Sequence, residues 1–295
     1  MEKSPAPLSR RTLLGASAIQ SILHAQAPQP AVRFGLVTDV HHADKPERGT
    51  RYYRESLQKL TEAVSRFRKF GVDFQIELGD LVDAAQDLDT ERAWLRHAVS
   101  VLRQSGADTH CVLGNHCVQT LSKQQVLSEL GRERSYYSFD RAGIHFVVLD
   151  ACYRKDGVPY NAGNFDWKDT DIPAVEREWL RQDLAAAAGP AIVFAHQRLD
   201  VEDVHGVASA GQVRRILEES SRVSAVFQGH SHQNDHREIS GIHYCTMRGL
   251  IEGSGVENNG YSIISVFADG RLRVEGFRTQ RAYELTPSSA RGREK

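Results

Sequence analysis

Apolar positions along this chain alternate between two periods, short continuous runs and three- or four-residue steps. Residues 32–37 (Val-Arg-Phe-Gly-Leu-Val) are an apolar run of strand length that ends in Thr38-Asp39. Over 54–70 the apolar residues fall at Leu57, Leu60, Val64 and Phe67, the spacing of one helix face, and Gly71 supplies the stop. A strand is predicted over 74–78, leading into Gly79-Asp80. A helix follows over 91–104, with Trp94, Leu95, Ala98, Val99 and Leu102 on its buried side. The next strand, 109–113, ends at Gly114-Asn115-His116.

The alternation continues towards the C-terminus. Segments 136–139 and 144–149 flank Arg141-Ala142-Gly143 and predict a hairpin. Residues 153–172 are rich in Gly, Asn, Asp and Tyr and are expected to form a long loop near the site. Further on come a helix over 176–188, a strand over 192–195 ending at His196, and a helix over 211–220. A strand over 223–227 meets Gly229-His230-Ser231-His232, and strands follow at 242–247, 262–267 and 272–277, the last two joined through Asp269-Gly270. Helices and strands alternate first and strands crowd the end. That order predicts an α/β fold, a four-layer α/β/β/α sandwich of two mixed sheets with flanking helices. The domain is expected to span 28–282, with a polar tail over 283–295.

Composition changes this picture little. The 295 residues are 40% hydrophobic and 25% charged, enough for one large domain. A formal net charge of −1 gives no electrostatic footprint for nucleic acid or a membrane surface, so neither partner is expected. Cys111, Cys117, Cys152 and Cys245 form no C-x-x-C pair and are read as buried small residues.

The chemistry sits at the strand ends. Asp39 and His41, Asp80, Asn115 and His116, His196, and His230 with His232 each follow a predicted strand. In layered α/β folds ligands gather beyond the carboxyl ends of strands, so these five loops can converge. Asp39 and His41, two apart, point the same way on extended chain, as do His230 and His232. Glycines at 79, 114 and 229 allow tight turns before the next residue. A carboxylate can bridge two divalent ions, while imidazoles and an amide oxygen complete their shells without making the site too anionic for phosphate. Such a pair can hold a hydroxide for attack on phosphorus. Among 13 histidines, the others, such as His24, His42, His97, His205 and His236, lack this context and are read as surface or packing residues.

Asp-x-His, Gly-Asp, Gly-Asn-His, a lone His and Gly-His-x-His, in that order over residues 39–232, resemble the motif set of calcineurin-like metallophosphoesterases. The resemblance implies that Asp39, His41, Asp80 and His232 hold one ion and that Asp80, Asn115, His196 and His230 hold the other. It implies that His116 protonates the leaving oxygen or stabilises charge. The expected cofactors are two divalent ions, Mn²⁺ first, with Fe²⁺ or Zn²⁺ also suited to these ligands. More narrowly, Asp39-Val40-His41-His42-Ala43-Asp44, then residues 49–57 (Gly-Thr-Arg-Tyr-Tyr-Arg-Glu-Ser-Leu), Gly249-Leu250-Ile251-Glu252-Gly253 and Gly260-Tyr261 resemble the manganese-dependent ADP-ribose/CDP-alcohol diphosphatases. That implies a small substrate with a nucleotide pyrophosphate. The alternatives are a phosphomonoesterase with the same metals, or a non-catalytic metal-binding scaffold. The first 27 residues, with Ser9-Arg10-Arg11-Thr12-Leu13-Leu14, a weakly apolar stretch to Leu23 and Ala25-Gln26-Ala27, resemble a twin-arginine signal peptide. The implied partner is the twin-arginine export machinery, and the implied location is periplasmic or extracellular, with no membrane anchor.

Other side chains divide between site and structure. Arg51 is a candidate for bidentate phosphate binding, and Arg198 is one or else a solvated arginine. Asp83 either orients a ligand or caps the next segment. Tyr52, Tyr53 and Tyr160 either flank a leaving group or pack, and the role of Glu252 is open.

Overall fold

In the computed structural model, which describes Met1 and residues 28–287, two six-stranded sheets face each other. The segment that resembles a signal peptide, Met1 apart, and residues 288–295 lie outside the described residues. In the first sheet β1 (Val32–Val37), β2 (Phe74–Glu77) and β3 (Asp108–Cys111) run parallel. The C-terminal strands β10 (Gly260–Val266), β11 (Leu272–Arg278) and β12 (Tyr283–Leu285) extend it antiparallel from β1. The second sheet holds β4 (Tyr137–Arg141), β5 (Ile144–Val148), β6 (Ala191–Phe194), β7 (Val223–Gln228), β8 (Asp235–Ile239) and β9 (Ile242–Thr246), in the order β4-β5-β6-β7-β9-β8.

Phenylalanines fill the space between the sheets. Phe34 stacks on Phe74 at 4.9 Å and meets Phe194 and Phe227 edge-on at 5.7 and 6.0 Å. Helices α1 (Ser56–Phe70), α2 (Leu88–Arg103) and α3 (Lys123–Leu130) cover the outer face of the first sheet, burying Leu60, Phe67, Leu95, Leu102 and Val126. Helices α4 (Ala174–Ala186) and α5 (Ala210–Ser220) cover the second through Leu180, Leu184, Val213 and Leu217. Each helix buries one apolar stripe, and the result is the predicted four-layer α/β/β/α sandwich.

Three elements escape the hydrophobic pattern. Helix α3 is short, and its signal is a capping box instead: Ser122 Oγ accepts the Gln125 N–H at 3.2 Å and Gln125 Oε1 accepts the Ser122 N–H at 2.8 Å. Strand β8, Asp-His-Arg-Glu-Ile, is an exposed polar edge strand with no buried run to betray it. Strand β12 pairs with β11, so the boundary expected at 282 falls inside the sheet's reach. No helix among the described residues is long and apolar enough to cross a membrane. All four cysteines are free and buried.

Candidate dinuclear metal centre

The loops after β1, β2, β3, β6 and β7 meet at one end of the sandwich, because parallel neighbours present their carboxyl ends on the same edge. Asp39, His41, Asp80, His230 and His232 all adopt positive φ, between 45° and 69°. Left-handed backbone costs non-glycine residues of order 1–3 kcal/mol each and persists only where surrounding contacts over-determine it. Those contacts are visible: Asp39 N–H donates to the Gly79 carbonyl at 3.0 Å and His41 N–H to the Asp80 carbonyl at 2.7 Å. Gly79 itself takes φ 105°. Gly114 serves close approach instead: a Cβ there would lie 2.2 Å from the Asp80 backbone nitrogen.

Two buried ligand groups result, Asp39–His41–His232 and Asp80–His196–His230. Asp80 Oδ2 lies between them, 3.6 Å from His41 Nε2 and 3.1 Å from His196 Nε2. Its Oδ1 accepts the His116 backbone N–H at 2.7 Å. In the first group Asp39 Oδ1 is 3.2 Å from His232 Nε2 and 3.8 Å from His41 Nε2. The remaining ring nitrogens are held from behind. His41 Nδ1 faces Asp83 Oδ2 at 3.2 Å, His232 Nδ1 faces Glu252 Oε1 at 2.7 Å, and His196 Nδ1 faces the Leu78 carbonyl at 2.9 Å. Partners of this kind fix imidazole orientation and leave Nε2 free to ligate.

Whether the residues suit metal ions can be judged from their unused atoms. Asp39 Oδ1, Asn115 Oδ1, His196 Nε2 and His230 Nε2 are buried and make no hydrogen bond. Asp39 Oδ1 and His196 Nε2 have a ring and a carboxylate of the cluster beside them at 3.2 and 3.1 Å, whereas Asn115 Oδ1 and His230 Nε2 have no partner, and buried lone pairs of that kind are costly. Divalent cations satisfy such a set, so the donor chemistry fits. The electrostatics agree. Burial alone would raise the Asp39 carboxyl, but His232, His41 and His196 outweigh it and hold it well below the usual range. Asp80 behaves alike, with burial outweighed by His196, His116 and His41. Burial would lower His196 and His232, yet Asp80 and Asp39 with Glu252 push both up to about 9. The carboxylates thus draw protons to the positions where cations would compete.

His116 stands apart from these buried rings. Its side chain is 21% exposed, it lines the cavity, and its Nδ1 lies 3.2 Å from Asp83 Oδ2. Asp83 therefore joins His41 to His116 and also accepts from Lys45 at 2.7 Å; the cap of α2 is Asp87. A third group, His41–Asp83–His116, has ligand spacing too; there Asp83 Oδ2 faces both rings while Lys45 holds Oδ1. The cavity, about 440 Å³, is lined among others by Arg48, Arg51, Trp167 and His205, the last two with ring centroids 5.9 Å apart.

Several expectations shift. Arg198 is a structural residue, buried and paired with Asp200 at 2.7 Å and Asp235 at 2.6 Å. Tyr160 is fully buried and stacked on Phe165, and Tyr53 packs with Ala43 and Ile251, so the aromatic wall is made by Trp167 and His205 instead. Trp167 sits in the loop expected near the site, but nothing in its sequence context singled it out. Glu252 gains a partner in His232. Lys59, fully buried on α1, donates to the carbonyls of Leu250, Glu252 and Gly253 and anchors the segment that carries it.

Comparison with known proteins agrees with this geometry. The family model described as calcineurin-like phosphoesterase matches residues 32–234. A rice protein named manganese-dependent ADP-ribose/CDP-alcohol diphosphatase is 27% identical over 86% of this chain and 94% of its own length. An Arabidopsis thaliana protein of the same name is 31% identical over 42% of this chain and 43% of its own. Among solved structures, a dimetal phosphatase from Danio rerio superposes with a TM-score of 0.78 at 20% identity, covering 88% of this chain and 100% of that one. A purple acid phosphatase from yellow lupin does so with 0.59 at 13% identity, covering 88% and 54%.

Proposed function

The chain belongs to the calcineurin-like phosphoesterase family, and from that premise we propose that it hydrolyses the pyrophosphate or phosphodiester bond of nucleotide-diphosphate compounds such as ADP-ribose and CDP-alcohols. The family is one of metal-dependent phosphoesterases. The observation that carries the reading is Asp80 Oδ2 set between two buried ligand groups whose remaining lone pairs are unpartnered. The narrower substrate class is supported by the rice relative, similar over nearly its whole length and named for both compounds.

In this reading Asp39, His41, Asp80 and His232 would hold one ion, and Asp80, Asn115, His196 and His230 would hold the other. Mn²⁺ is the proposed metal, in keeping with the names of the relatives. Bound ions would supply Lewis-acid charge to the phosphoryl oxygens and an acidified water as nucleophile. Glu252, Asp83 and the Leu78 carbonyl keep the three imidazoles aimed inward. His116, with Nδ1 turned to Asp83, keeps Nε2 for the leaving oxygen and gives it a proton. Arg51 neutralises phosphate charge at the cavity rim.

A substrate panel tests this. The Mn²⁺-loaded protein is offered ADP-ribose, CDP-choline, p-nitrophenyl phosphate and its bis-ester at one pH. Preferential cleavage of the two pyrophosphates is expected. Preference for the monoester would overturn the substrate class and leave the metal centre standing. We further propose that residues 1–27 direct twin-arginine export; mass analysis of the protein from the source cell should find a chain beginning near residue 28, and retention of Met1 would refute it.

A further inference from the structure

On the His232 side of the ligand cluster a polar recess of about 260 Å³ opens beside the main cavity. Arg51, His205, His230 and His232 line both, so the two spaces adjoin. Arg51 and Arg248 bring two guanidinium groups to the recess, and Glu252 is the one carboxylate in its lining. That carboxylate is already engaged, 2.7 Å from His232 Nδ1. Among the described residues neither guanidinium forms an ion pair; Arg248 acts on Glu252 through space, and two guanidinium groups against that one carboxylate leave the lining with an excess of positive charge.

Two further atoms point to an anionic guest. Arg248 Nε and Ser231 Oγ are buried and make no hydrogen bond. Arg248 is nonetheless fixed: a terminal nitrogen donates to the His232 carbonyl at 3.2 Å, and its backbone N–H donates to Gln280 Oε1 at 2.8 Å. A positioned guanidinium with unused donors, a buried hydroxyl and a second arginine match the oxygens of a tetrahedral anion. Surrounding protein lowers the local dielectric and strengthens that attraction. The recess is too polar to receive an apolar group without stranding these donors.

We propose that this recess seats the second phosphate of a pyrophosphate-linked substrate, with Arg248 and Ser231 joining Arg51 as its ligands. The proposal rests on the phosphoesterase reading, in which the first phosphate lies over the Asp39–Asp80 cluster. It gives the site a means of choosing diphosphates over single-phosphate esters: bound metal ions would take one phosphate from any ester, and the recess rewards only a substrate with a neighbouring one.

The test is equilibrium dialysis of α,β-methylene-ADP and AMP against the Mn²⁺-loaded full chain, with Arg248→Met, Arg248→Lys and Ser231→Ala beside the unaltered protein. The unaltered protein should prefer the diphosphate by about 10- to 100-fold, the range of one or two charge-assisted hydrogen bonds. Arg248→Met should collapse that preference while AMP affinity stays within about threefold, and Arg248→Lys should restore it only in part, since an ammonium lacks the fork. If Arg248→Met unfolds, Ser231→Ala carries the test, with a severalfold fall in the same ratio. Equal affinity for the two nucleotides, or parallel loss of both in the variants, would overturn the proposal. Turnover of ADP-ribose and bis(p-nitrophenyl) phosphate separates the two ideas. An intact diphosphate preference without ADP-ribose cleavage would sink the diphosphatase reading alone; ADP-ribose cleavage with an unaffected ratio in Arg248→Met would sink the recess alone.

Discussion

At Asp80 the two carboxylate oxygens are used differently, one accepting the His116 N–H and the other lying between His41 and His196. Asp80→Asn puts an amide where a shared anion is needed, so both ions should be lost together; metal analysis after gel filtration checks this. His116 is attached to the same cluster through Asp83, its own backbone N–H and an edge contact with the His41 ring at 4.6 Å. His116→Ala should keep its metal content and lose about 10²–10⁴-fold in turnover, as for a general acid. Metal loss as deep as in Asp80→Asn would refute that division. Glu252 acts at one remove, holding His232 Nδ1 and keeping its own carboxyl at about 2: burial opposes this, and the hydrogen bonds from His232 and Thr50 outweigh it. Glu252→Gln should weaken Mn²⁺ binding by about 10–100-fold in a calorimetric titration. The sequence marked these positions unevenly. Asp80 and His116 stand in motifs with their own glycine signal, whereas the partner of Glu252 lies 20 residues away and is found only in three dimensions.

Among the elements, α3 shows what a cap contributes when the helix is short. Ser122→Ala removes the acceptor for the Gln125 N–H and should cost about 1 kcal/mol, a fall in Tm of roughly 2–4 °C. Strands β4 and β5 are tied to α4 by His145, whose Nδ1 is 2.9 Å from Asp140 and whose Nε2 is 2.8 Å from Asp183. Burial lowers its pKa, but Asp183 and Asp140 outweigh that and raise it above the unfolded value. The clamp's contribution is therefore complete below the ordinary histidine pKa and fades as pH rises through the raised one. Thermal melts of His145→Gln should fall further below the unaltered protein at pH 6 than at pH 9, and a pH-independent gap would contradict this. The S-x-x-Q signature at 122–125 is written in the chain itself, but eight residues of helix are too few for periodicity to reveal.

Across the whole molecule, the candidate metal centre sits where the edges of both sheets meet, with candidate ligands after β1, β2 and β3 of one and β6 and β7 of the other. Ions bound there would cross-link the two halves of the sandwich and stabilise only the folded chain. At 100 times Kd such binding adds about 2.7 kcal/mol. Chelation should then lower Tm by several degrees and re-addition of Mn²⁺ should restore it, while Asp80→Asn should melt alike with and without chelator. A chelator-insensitive Tm in the unaltered protein would argue against ions holding the sheets together.

The sequence by itself determined the layers and the loops. Periodicity follows from which face of a helix or strand is buried, a local consequence of the core, so β1 and the hairpin over β4 and β5 could be read directly. The candidate ligands could be expected to meet because each follows a strand whose end must lie on one edge of a parallel sheet. Tertiary structure decided what depends on distance through space. Only there does Arg198 become a buried ion-paired residue while Arg51 faces a cavity, although both are arginines in polar loops. Only there do Trp167 and His205, far apart in the chain, form one wall, and Lys59 reach the carbonyls of a segment near 250. Periodicity reports burial; the identity of a partner is fixed by packing, and packing is a property of the whole chain.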